Sequence, residues 1–272
     1  MKKILCPVDF SKASRNGIEY AGKLAAQLMA HVTLLNVRTT IWPEAMQLEQ
    51  EAAIGQEEIL DSLKQWSDEV EKEFGVTCGI HVDQTMQTVE KSIADHAADY
   101  DLIVIGTNGA DDFYQLAFGS HSFHVVQQAM CPVLIIPEGC AYEPIKQLVY
   151  AYDPETNPIF LVDQLKEFAT ALGASIRVVH VVETEPSPEN DHRLKIMEES
   201  VMARLYKEIP WDFEGIYGRD VAWTLEHYAV SNAVDSMAMS YHHRTLMDAL
   251  FHQNVIKRIS MTAEFPVFTF WR

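Results

Sequence analysis

The chain has 272 residues, of which 48% are apolar, and a formal charge of −18 from 21 Lys and Arg against 39 Asp and Glu. Its length and apolar content suffice for two packed cores, while the acidic balance argues against nucleic acid and anionic membrane surfaces, which bind through clustered Lys and Arg. Four cysteines, Cys6, Cys78, Cys131 and Cys140, stand far apart without a CxxC pair, so buried reduced thiols are expected in place of a zinc site or a disulfide framework.

The chain opens with Met1-Lys-Lys-Ile-Leu-Cys-Pro, which enters a strand and not the apolar stretch of a signal peptide. No run reaches the length of a membrane-spanning helix, and the expected location is cytoplasmic. Lys3 to Val8 has the short apolar character of a buried strand, and Asp9 or Ser11 can cap the helix that follows. That helix shows a face of Ile18, Ala21, Ala25 and Leu28, after which His31 to Val37 returns to strand character. A loop with Pro43 leads to a long helical pattern from Glu44 to Phe74, ended by Gly75. Val76 to Val82 reads as a third strand, Thr88 to Ala98 as a short helix and Leu102 to Ile105 as a fourth strand. Strands alternating with helices imply a parallel sheet covered on both faces.

The stretch Ile105 to Ser122, IGTNGADDFYQLAFGSHS, carries the chemistry. Gly106, Gly109 and Gly119-Ser120 place small residues at both ends of one long loop between a strand and a helix start. Backbone N–H groups at such positions, with the orphan donors of a helix N-terminus, form a cradle for phosphate. Cys131 to Pro137 then reads as another buried strand.

After Pro137 the turn-rich segment Glu138 to Pro144 precedes a second copy of the pattern. Leu148 to Asp153 parallels Leu5 to Asp9, with Asp153 in the place of Asp9. A helical face of Leu161, Leu165, Phe168 and Leu172 follows, and Ile176 to Val181 parallels Val32 to Val37. Asp235-Ser-Met-Ala-Met and Phe265 to Phe270 complete the duplication, which predicts domains over 1–138 and 147–272 with a linker at 139–146. In the second copy Ser240-Tyr-His-His243 stands where Gly106 to Gly109 stood, and Gln253-Asn254 stands opposite Gly119-Ser120. Its side chains would crowd a phosphate, so a structural role is expected there. The apolar edge strands Val133 to Ile136 and Val267 to Phe270 are the expected contacts between the halves, giving an intramolecular pseudo-dimer; a homodimer is also open.

At the glycine loop the chain resembles the universal stress protein family, whose nucleotide motif is glycine, two residues, glycine, nine residues, glycine, then serine or threonine. The resemblance implies an α/β fold of two tandem domains, each an open, mostly parallel five-stranded sheet of Rossmann-like type with helices on both faces. It assigns Pro7, Asp9 and Val37 to the adenine and ribose side of a nucleotide, and Ile105, Gly106, Gly109, Gly119, Ser120, His121 and Ser122 to the ribose and phosphates. The implied ligand is ATP or another adenine nucleotide, alone or with magnesium, held as a regulatory ligand in a stress response. Two departures stand out: Phe10 replaces the glycine common just after the aspartate, and Asp111-Asp112 brings acidic residues into the loop. His242, His243 and His252 flank the second-half loop as weak metal candidates, although adjacent histidines on one backbone point apart. The chain has no GxxxxGK[ST], GxGxxG or GxSxG motif and no evident general base, so catalysis is not the leading expectation. Slow ATP hydrolysis or phosphoryl transfer is one alternative, and a structural interaction module without nucleotide is the other.

Overall fold

Alternation along each strand decides which face of the sheet a residue serves. In the computed structural model, which describes residues 2–39, 48–107, 124–154, 158–205, 209–241 and 249–271, that rule separates two cores. Strand β1 (Lys3–Pro7) sends Ile4 and Cys6 to one face and Leu5 to the other, and β4 (Leu102–Thr107) sends Leu102 and Val104 one way, Ile103 and Ile105 the other. The first face is covered by Ile18 and Leu24 of α1 (Lys12–Leu28) and by Leu63 and Val70 of α2 (Leu48–Phe74). The second is covered by Ile93 of α3 (Val89–His96) and by Val125 and Val126 of α4, described over residues 124–128.

The first half adds β2 (His31–Thr39), β3 (Cys78–Thr85) and β5 (Val133–Pro137). The second half runs β6 (Gln147–Ala151), α5 (Pro158–Leu172), β7 (Ser175–Val182), α6 (Pro188–Leu205), β8 (Trp211–Tyr217), α7 (Val221–Ser231), β9 (Ser236–Tyr241), α8 (Ala249–Thr262) and β10 (Val267–Trp271). The elements α6, β8 and α7 fall in a stretch for which the sequence reading named none.

The described strands form one sheet in the order β3-β2-β1-β4-β5-β10-β9-β6-β7-β8. Every neighbouring pair is parallel except β5 with β10, where Val267 faces Ile135, Phe268 faces Leu134 and Thr269 faces Val133. The expected edge strands are therefore the seam, and the two expected five-stranded sheets continue into one. The Thr269 hydroxyl donates to the Val133 carbonyl at 3.2 Å, and Phe268 packs edge-on against Phe168 of α5 with centroids 4.0 Å apart.

The repeat extends to polar detail. Asp101 accepts the N–H groups of Lys2 and Lys3 at 2.6 and 3.0 Å, and Asp235 accepts those of Lys146 and Gln147 at 2.9 and 3.0 Å. Both helices that follow the first strand of their half end in a left-handed residue, Met29 (φ 52°) after α1 and Gly173 (φ 68°) after α5. Cys6, Cys78 and Cys131 are buried and Cys140 is half-buried, all as free thiols, and burial pushes the Cys78 thiol up to about 11, where it is a poor nucleophile. Among the described residues no helix is long and apolar enough to cross a membrane.

Candidate functional site

In each half the strand order places the first strand between the second and the fourth. The connection leaving β1 runs to β2 on one side, while the chain later returns to β4 on the other, so a crevice opens beyond the carboxyl ends of β1 and β4. Pro7 ends β1 opposite Leu35, and Asp9 stands just beyond it, exposed. Asp9 Oδ1 accepts the Ser11 N–H at 3.0 Å, while the Ser11 hydroxyl accepts from Ser14 N–H at 3.1 Å as the N-cap of α1. Of the two capping candidates, Ser11 caps the helix, and the Asp9 carboxylate closes the turn before it.

Phe10 lies between them with φ 63°, a left-handed conformation that glycine adopts without steric cost. Its ring meets Trp66 of α2 edge-on at 5.2 Å, and the Arg15 guanidinium sits 5.1 Å from the same indole. Arg15 also pairs with Glu69 at 2.7 Å and Glu19 at 3.3 Å. Hydrogen bonds from Gln65 and Arg15 hold the Glu69 carboxyl below its ordinary range. Aromatic contact with α2 thus accompanies a left-handed turn made without a glycine.

At the end of β4, Ile105 is buried opposite Ile135, Gly106 faces Ile136, and the buried Thr107 faces Pro137. A Cβ on Gly106 would lie 1.8 Å from the Ala13 carbonyl oxygen, and one on Gly17 would lie 2.8 Å from Gly106 N. The direction in which Gly106 lacks a side chain is therefore filled by the first turns of α1. The sequence reading reserved that space for a ligand; here it brings the N-terminus of α1 against the end of β4. That contact draws Asp9, the α1 N-terminus and the start of the glycine loop to one end of the sheet.

Val37, half-buried in β2, faces Asp83 of β3 and packs with the α3-side core. Beside it the sequence reading missed Asn36, which is 8% exposed and whose Nδ2 donates to the Val8 carbonyl at 2.8 Å. Gly109, Gly119, Ser120, His121, Ser122 and the Asp111-Asp112 pair lie outside the described residues, as do His242 and His243. His252 falls within α8, with no description of its side chain. Among the described residues no group of three or more His, Cys, Asp or Glu could hold a metal.

The model of the universal stress protein family matches residues 1–137, the half that contains this crevice. The chain belongs to the universal stress protein family. The universal stress proteins of Helicobacter pylori strains 26695 and J99 are each 33% identical to it over 143 residues, covering 48% of this chain and 97% of their own. The fold of the whole chain is shared with a solved universal stress protein from Archaeoglobus fulgidus DSM 4304, at 17% identity and a TM-score of 0.78, covering 99% of this chain and 98% of that one. A Pseudomonas aeruginosa UCBPP-PA14 structure follows, at 15% identity, a TM-score of 0.66 and coverage of 100% and 93%.

The second half of this universal stress protein keeps the aspartate and alters the surroundings. Asp153 follows β6 as Asp9 follows β1, but Leu161 and Ser240 hold the positions of Gly17 and Gly106.

Proposed function

We infer that the first half of this stress-response protein binds an adenine nucleotide, ATP or a close relative, as a regulatory ligand in the cytoplasm, alone or with magnesium. The observation that carries this reading is the adjacency of the β1 and β4 carboxyl ends at the switch in strand order, with Asp9 leaving one and the motif of Gly106, Gly109, Gly119 and Ser120 leaving the other. In this reading Pro7 and Val37 line the apolar side for the base, and the Asp9 carboxylate accepts from ribose hydroxyls. Ile105 and Gly106 begin the loop, and Gly109, Gly119, Ser120, His121 and Ser122 surround the ribose and phosphates with backbone and hydroxyl donors. The α1 N-terminus adds a favourable field of about 0.3–1 kcal/mol for an anion.

The same reading divides the chain into a nucleotide-binding domain at 1–138, a linker at 139–146 and a partner domain at 147–272 that takes no nucleotide. The test is Gly119→Val, whose branched side chain enters the phosphate space. It should abolish ATP binding and leave the circular dichroism spectrum unchanged. Mass spectrometry of ligand released from the purified protein, followed by a magnesium-dependent turnover assay, separates a bound regulatory nucleotide from a hydrolysed one and from an empty structural module. Normal binding by Gly119→Val would remove the motif from the site.

A further inference from the structure

Asn36 and His180 occupy the same place in the two halves and make the same contact. Asn36 Nδ2 donates to the Val8 carbonyl at 2.8 Å, and His180 Nδ1 lies 3.0 Å from the Tyr152 carbonyl. A carbonyl only accepts, so His180 carries a proton on Nδ1, and it does so in the neutral and the cationic ring alike. Val8 and Tyr152 each stand immediately before the aspartate that follows the first strand of their half. The backbone ladder also ends alike, with Val8 N–H donating to Leu35 at 2.8 Å and Tyr152 N–H to Val179 at 2.7 Å.

Two different side chains reach one geometry because their donors are placed alike: Nδ2 of asparagine and Nδ1 of histidine are both bonded to Cγ. What the position preserves is a donor at that distance, not a residue type. The carbonyl it holds belongs to the peptide that leads into Asp9, so the bond fixes the direction in which the chain leaves β1 and where the Asp9 carboxylate stands over the crevice.

We propose that Asn36 is the positioning residue for Asp9, acting through the Val8 peptide and touching no ligand. The consequence for affinity rests on the nucleotide reading above; the clamp itself does not. Asn36→Leu keeps the branching at Cγ and removes the donor, and Asn36→His installs the residue used by the second half. In the ligand-free protein, Asn36→Leu should shift the Ser11 amide resonance and speed its exchange, because that N–H donates to Asp9 Oδ1, while the Ile103 amide in the sheet keeps its rate. The same variant should weaken ATP binding about tenfold, and Asn36→His should restore both readouts.

A Leu variant with wild-type Ser11 exchange and affinity, or a His variant no better than Leu, would overturn the proposal. If the wild type binds no ATP, the nucleotide reading fails and the Ser11 amide alone decides the clamp. Should Asn36→Leu not fold, Asn36→Ala carries the same expectations.

Discussion

Gly17 and Gly106 face each other across the contact between α1 and β4 with no side chain from either in the gap. A Cβ on Gly17 would stand 2.8 Å from Gly106 N and 3.2 Å from its Cα, and a Cβ on Gly106 would stand 1.8 Å from the Ala13 oxygen. Both new atoms would meet backbone, which gives way far less readily than the end of a side chain. Gly106→Ala should therefore lower stability by about 3 kcal/mol, the upper end for overpacking a core, measured by urea unfolding. Gly17→Ala should cost less. A fully stable Gly106→Ala protein would show that α1 does not sit this close.

That pair also shows what spacing in a sequence conveys. The four small residues of the motif fix where the loop begins and ends, but a glycine that admits a phosphate and one that admits a helix look the same in the chain. The seam was legible for a different reason: Val133 to Ile136 and Val267 to Phe270 are short apolar strands whose unpaired edges would invite association, and β5 and β10 pair as expected. From Pro188 to Ser231 the signal weakens. Helix α6 spreads charged residues around most of its surface, and no residue of β8 is fully buried, so neither shows a clear buried face. The Asn36 and His180 pair was within reach, because each lies the same distance along the chain from its aspartate, but an asparagine and a histidine do not resemble each other as letters.

Phe10 offers a direct measure of backbone strain. Its φ of 63° costs an ordinary residue about 1 kcal/mol relative to glycine, and its ring recovers contact energy on Trp66. Phe10→Ala loses the ring and keeps the strain; Phe10→Gly loses the ring and relieves it. Chemical denaturation should rank wild type above Phe10→Gly, and Phe10→Gly above Phe10→Ala by about 1 kcal/mol. Equal stability of the two variants would mean that the turn relaxes when the ring is gone.

The seam between the halves should be sensitive to one aromatic ring. Phe268 is fully buried on β10 and packs on Phe168 of α5 and against Phe270. Phe268→Ala is expected to cost about 3–5 kcal/mol, a large part of the stability of an ordinary domain. Urea unfolding measures it, and a loss below about 1 kcal/mol would mean that the seam is loosely packed.

Acid should find the Asp101 clamp. Burial works against its charge, but the N–H groups of Lys2 and Lys3 and the positive charge nearby together hold its carboxyl below the ordinary value. A depressed folded-state pKa means that its contribution is complete above the unfolded value, near 3.9, and is lost as pH falls through the lower folded value. Asp101→Asn should therefore be less stable than wild type at neutral pH, with the difference shrinking below about pH 4. Thermal unfolding across pH 2 to 7, at buffer points chosen around that value, reads the effect, and a gap that widens on acidification would contradict the clamp.

The nucleotide account is tested most directly by isothermal titration of the intact chain with ATP, in the presence and absence of magnesium. Only the first half joins Asp9 to the glycine motif, whereas the second half has His243 in the place of Gly109 and Gln253-Asn254 opposite Gly119-Ser120. The account predicts saturation near one nucleotide per chain, lost in Gly119→Val. Two equivalent sites would contradict the closed second cradle, and no heat or displacement at any ATP concentration would contradict nucleotide binding itself.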